Sequence, residues 1–136
     1  MPDTPAENHA REAARPELLV ACLCAEWCRT CGLYRDTFEE ARDALQAEYP
    51  SQPMRFVWVD IEDESELIGD LDIENFPTLV LAAGEQVLFA GTVMPHLGTV
   101  ERLVQGAIDG SLGAPRETLA ADLLALPRRL ARHEPL

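Results

Sequence analysis

The chain of 136 residues has no lysine at all: its eleven bases are all arginines, set against twenty-four acids for a formal net charge of −13. A protein that coats phosphates needs a basic face. Only Arg128, Arg129 and Arg132 gather into anything of the kind, so nucleic acid is not expected as a partner. Long apolar runs are missing too. Runs such as Thr78–Ala83 fall far short of the roughly 20 residues that span a bilayer, and no membrane partner is expected. The chain does not open on a basic stretch followed by an apolar one, so its start does not read as a signal peptide, and the cytoplasm is the expected compartment. There is no internal repeat and no calcium-type loop of spaced acids around a glycine with a closing glutamate. His9, His96 and His133 are scattered through the tails or near a helix start, and none is placed for catalysis.

What is present is ordinary globular usage, 47% hydrophobic and 26% charged, in a length that supports one core. Residues 1–17 read as a tail with a short helix over Ala6–Arg15, ended by Pro16. Residues 18–110 read as the domain, and residues 111–136 as a helical extension. Leu18–Ala25 is a continuous apolar run, the pattern of a central strand covered on both faces. A helix follows from about Cys28 to Glu48, with Tyr34, Phe38, Ala41 and Leu45 at helical spacing. Met54–Ile61 reads as a second buried strand.

From Asp60 to Glu74, eight of fifteen positions are acids, which suits a short solvated helix beginning near Asp63. Thr78–Ala83 and Gln86–Ala90 are strand-like runs joined by Gly84-Glu85, a two-residue hairpin signal. Leu97, Val100, Leu103, Val104, Ala107 and Ile108 line one face of a further helix that Gly110 can stop. The alternation of helices and strands predicts parallel pairing, with an antiparallel edge from the late hairpin. In the extension, Leu119, Leu123, Leu126 and Leu130 share a face, and Pro127 is expected to break or kink that helix. This face either covers the domain's own sheet or makes a dimer or partner contact, the former being favoured.

The chemistry concentrates in Trp27-Cys28-Arg29-Thr30-Cys31, at the junction of the first strand and the long helix. Two cysteines three apart at a helix start lie on one face and can close a small disulfide loop. The unpaired N–H groups and positive dipole end at such a place favour a thiolate. Cys28 is therefore the expected nucleophile: it attacks a substrate disulfide to give a mixed disulfide, which Cys31 then resolves. Cys22 and Cys24 alternate on one side of an apolar strand and read as buried, inert thiols. A four-thiolate zinc set made of all four cysteines has the wrong spacing for paired knuckles, so no metal is expected.

Ala25-Glu26-Trp27-Cys28-Arg29-Thr30-Cys31 resembles the active-site motif of the thioredoxin family. Phe76-Pro77-Thr78 is similar to that family's cis-proline loop, and Gly91 falls where the family keeps a glycine beside its substrate groove. The resemblance covers about residues 18–109. It implies an α/β, three-layer, thioredoxin-like fold, a mixed sheet of four to five strands with helices on both faces. It also implies a cis Pro77 facing the cysteine pair, a Phe76 backbone that pairs with extended substrate, and a groove flanked by Trp27 and Gly91. Three departures stand out. Arg29-Thr30 replaces the usual Gly-Pro between the cysteines, Cys22 takes the place of a buried aspartate, and the family's first strand is missing or much reduced.

The expected function is that of a thiol–disulfide oxidoreductase reducing protein disulfides. It needs no organic cofactor and is recycled by an external donor such as a thioredoxin reductase or a low-molecular-weight thiol. The alternative is a redox-inactive or weakly active module of the same fold that binds proteins, in a chaperone-like manner, through the Phe76-Pro77 groove and the C-terminal helix.

Overall fold

The computed structural model describes residues 16–69, 73, 75–113, 115 and 119–136; the helix expected over Ala6–Arg15 lies outside them. Four strands form one sheet: β1 Leu18–Cys24, β2 Met54–Asp60, β3 Thr78–Ala83 and β4 Gln86–Thr92, in the order β2-β1-β3-β4. All seven residues of β1 are buried, as its unbroken apolar run requires of a strand covered on both faces. β1 and β2 are parallel, joined over one face by helix α1, Arg29–Glu48. The expectation of parallel pairing fails at β3, which runs antiparallel to β1 as well as to β4. The connection from β2 returns to the sheet at the end it left, since Asp60 pairs with Cys24 and Thr78 with Leu23, and an apolar run carries no mark of its direction.

The alternation of β1 sorts the core into two layers. Leu18, Val20, Cys22 and Cys24 face α1 and α3, Leu97–Asp109, in a cluster with Tyr34, Phe38, Leu45, Phe56, Val100 and Val104. Leu19, Ala21 and Leu23 face the other way, toward α2, Ser65–Ile68, and α4, Ala121–Arg129. The result is the expected three-layer α/β arrangement with a mixed four-stranded sheet. Gly84 turns the β3–β4 hairpin at φ +60°, and Gly110 ends α3 at φ +83°; both are left-handed positions that favour glycine.

The C-terminal segment completes the second layer. Leu126 and Leu130 are fully buried against the sheet, with Leu119 and Leu123 packed beside them, so the leucine face is used within the chain. Pro127 does not break α4, which runs on to Arg129. It lies in the last turn, where it costs the helix the bond an N–H would give to the Leu123 carbonyl, but it is itself buried and its ring packs with the second layer. Beyond α4 the tail crosses to β2, the edge strand. Leu136 N–H donates to Phe56 O at 2.7 Å, and Arg42 donates to Leu136 O at 2.7 Å. Arg55, in β2, donates to the carbonyl oxygens of Leu130 and His133. Among the described residues no helix is long and apolar enough to cross a membrane.

Candidate active site

The site sits where β1 hands over to α1. β1 ends at Cys24, and the turn Ala25–Trp27 closes with Cys28 N–H donating to Ala25 O at 3.0 Å. Cys28 is the N-cap of α1 in extended conformation, and no side chain caps the helix start. The first-turn N–H groups of α1 are therefore left to solvent and to whatever charge arises on Cys28. No acid stands in that turn, so nothing there offsets the positive end of the helix. Cys28 is a free, partly exposed thiol.

Cys31, the third residue of the helix, points inward and is only 2% exposed. It is bonded in a disulfide to Cys24, with their Cα atoms 5.8 Å apart. This corrects two expectations. The structure does not join Cys28 to Cys31, and Cys24 is not an inert strand thiol. The reason is directional: the last residue of β1 and the third residue of α1 both face the layer between sheet and helix, whereas the N-cap position faces out of it. Cys24 is the bonded partner of Cys31 that spacing alone missed. Its signal was present in the alternation of Cys22 and Cys24, which puts both on the helix-facing side of the strand.

Cys22 lies beneath the bond, fully buried, with its Sγ 3.6 Å from that of Cys24. Burial pushes its thiol far above the ordinary range, so it remains protonated. Tyr34 packs in the same layer, and its hydroxyl has no hydrogen-bond partner in the protein. Burial first, and then the neighbouring Cys22, push its ionisation upward.

The loop before β3 forms the other wall. The Phe76–Pro77 peptide is cis, as the resemblance implied. Thr78 Oγ1 donates to Asn75 O at 2.7 Å and pins the loop. The Phe76 ring meets the Trp27 indole edge-on at 5.6 Å between centroids, while Trp27 is itself 68% exposed. Cys28 and Phe76 both pack on the core cluster that holds Cys31. The structure thus gathers Trp27, Cys28, Cys31 and the Phe76-Pro77 loop around one patch. Gly91 stands further along, in β4 opposite Leu79.

The acidic run borders the same patch. Trp27 Nε1 donates to Glu62, and Asp60 Oδ1 accepts the N–H groups of Glu62 and Asp63 at 2.9 and 3.1 Å. Carboxylate oxygens of Glu26, Asp60 and Asp63 lie within 4.8 Å of one another. A cavity of about 530 Å³ opens beside Cys31, between this acidic wall, Trp58 and the C-terminal residues His133–Leu136. Trp58, on β2, is partly buried against the core cluster, and the Arg35 guanidinium lies 5.3 Å from its ring centroid.

The comparisons with known proteins agree with this geometry. The family model of Thioredoxin matches residues 3–98. Endoplasmic reticulum resident protein 44 of Mus musculus is 36% identical over 58 residues, which is 42% of this chain and 14% of that protein. Among solved structures, the zinc-bound form of human ERp44 matches 76% of this chain and 30% of its own at 21% identity and a TM-score of 0.58. A chloroplastic thioredoxin z matches 79% of this chain and 92% of its own, at 21% identity and a TM-score of 0.53. The chain therefore spans less than a third of the ERp44 proteins and nearly the whole of a single-domain thioredoxin. It belongs to the thioredoxin family.

Proposed function

We propose that this member of the thioredoxin family reduces protein disulfides through Cys28 and Cys31. One observation carries the reading: a free, partly exposed thiol at the uncapped start of α1, flanked by Trp27 and the cis-proline loop, with a second cysteine one turn inside. The thiolate is the nucleophile in disulfide exchange. Cys28 attacks one sulfur of the substrate disulfide, a mixed disulfide forms, and the other substrate sulfur leaves as a thiolate. Cys31 then attacks Cys28 Sγ, releasing the reduced substrate. Trp27, Phe76, Pro77 and Gly91 line the path of the extended substrate segment. The acidic wall at Glu26, Asp60 and Glu62 favours segments that carry basic side chains.

As a reductase the dithiol works in a reducing compartment such as the cytoplasm, returned to its reduced form by an external dithiol reductase or a low-molecular-weight thiol. The experiment is a disulfide-reduction assay on a protein substrate with dithiothreitol as donor. Cys28→Ser abolishes turnover and Cys31→Ser accumulates mixed disulfides; full activity of Cys28→Ser overturns the assignment. A second reading, a protein-binding module of this fold, draws on the engagement of Cys31 by Cys24, which leaves Cys28 without a resolving partner in this state. It requires complexes that survive replacement of both Cys28 and Cys31 by serine.

A further inference from the structure

All four cysteines of the chain meet beneath the start of α1. Cys24 ends β1, Cys22 lies 3.6 Å from it sulfur to sulfur, and Cys28 and Cys31 are the N-cap and third residue of the helix. In this structure Cys31 is bonded to Cys24, and Cys28 is free. The reductase cycle instead ends with Cys31 bonded to Cys28. We propose that Cys24 is a third redox residue of the site and that Cys31 exchanges partners between Cys28 and Cys24. The proposal rests on the reductase reading, since reduction of a substrate disulfide is what first oxidises the Cys28–Cys31 pair.

The exchange needs no oxidant. Cys24, on losing its proton, attacks Cys31 Sγ; the Cys24–Cys31 bond forms, the Cys28–Cys31 bond breaks, and Cys28 leaves as a thiolate. One disulfide and one thiol stand on each side, and the proton shed by Cys24 goes to solvent or to Cys28. The uncapped helix start is a favourable place for the departing thiolate. Burial divides the two linkages: Cys24 and Cys31 are 1% and 2% exposed, so the exchange carries the disulfide inward and returns a reactive thiol to the surface. With Cys31 engaged, a second substrate captured by Cys28 is held as a mixed disulfide, because the resolving sulfur is occupied. Cys22 remains a free thiol beside this linkage, its sulfur 3.6 Å from that of Cys24.

The test oxidises the full chain in glutathione buffers, blocks free thiols with iodoacetamide and maps linkages by mass spectrometry without reduction. The parent protein yields a Cys24–Cys31 peptide pair with Cys28 alkylated. Cys28→Ser still loses two thiols on oxidation, and Cys24→Ala loses the Cys28 alkylation because only Cys28–Cys31 can then form. Three free thiols in Cys28→Ser at every poise, or an oxidised parent holding Cys28–Cys31 alone, overturns the proposal. Cys24→Val keeps the volume of the site should Cys24→Ala fail to fold, and the Cys28→Ser map decides the matter by itself if neither folds. The two readings fail separately. Loss of the Cys24 linkage with disulfide reduction intact sinks only the exchange, whereas full reductase activity in Cys28→Ser sinks the reductase reading and leaves the linkage map standing.

Discussion

Leu126→Ala tests whether the C-terminal helix is part of the fold or an appendage to it. Leu126 is 0% exposed and packs in the layer that α4 shares with Leu19, Ala21, Val57 and Val80. Truncation removes three carbons from that layer, a transfer loss of about 2.4 kcal/mol at about 0.8 kcal/mol per buried methylene. The cavity left behind adds to it, because β1 and β3 cannot move into the space, and the total comes to about 3–4 kcal/mol. With a urea dependence of about 2 kcal/mol per molar, the unfolding midpoint falls by about 1.5–2 M. The assay is urea unfolding followed by circular dichroism, with the cysteines held in one redox state because disulfide reshuffling spoils two-state behaviour. Leu124→Ala is the control, since Leu124 is 52% exposed and its loss stays within about 0.5 kcal/mol. If Leu126→Ala also stays within that margin, α4 is not packed on the sheet and the account of the second layer is wrong.

Arg55→Ala removes the donors to Leu130 O, His133 O and the Glu17 carboxylate, costing about 1.5–3 kcal/mol. Faster hydrogen exchange at the Leu136 amide, which donates to Phe56 O, reports the release of the tail. Gly69→Ala forces a Cβ at φ +66° to within 2.6 Å of Asp122 Oδ1 and 2.8 Å of Arg129 Nη1. It lowers stability by about 1–3 kcal/mol in thermal unfolding, and an unchanged midpoint contradicts the α2–α4 contact. Trp27→Ala leaves stability intact, because the ring is mostly exposed, but removes the edge-on contact with Phe76. A fall of about 2- to 10-fold in kcat/KM on a protein disulfide is expected, and no change excludes Trp27 from the substrate path.

The sequence pattern carried the elements well wherever burial is one-sided or complete. The apolar run of β1, the stripe Tyr34, Phe38, Ala41, Leu45 of α1 and the glycines at 84 and 110 each state a local requirement that the fold meets. Direction is another matter. β3 is as apolar as β1, and its antiparallel course follows from where the chain returns to the sheet, which its own residues do not encode. Pro127 misled for a similar reason: a proline ends a helix when its lost bond and its ring clash are uncompensated, and here burial of the ring in the second layer offsets them.

At the site, spacing located the cysteine that faces solvent and misjudged the cysteine that holds its partner. Two residues three apart at a helix start share a face, but the N-cap residue lies at the rim of that face and the third residue lies within it. The turn Ala25–Trp27 is only three residues long, so the end of β1 comes under the first turn of α1, and a strand residue of the right parity then lies within disulfide reach of Cys31, 5.8 Å from Cα to Cα. Parity was readable, since Leu18, Val20, Cys22 and Cys24 alternate with residues of the opposite layer. Reach was not, because it depends on how far the strand runs under the helix before it turns. Exposure then divides the work among the sulfurs: Cys28, at the rim, is the one a substrate can meet, and Cys24, in the layer beneath, is the one that can take Cys31 out of solvent.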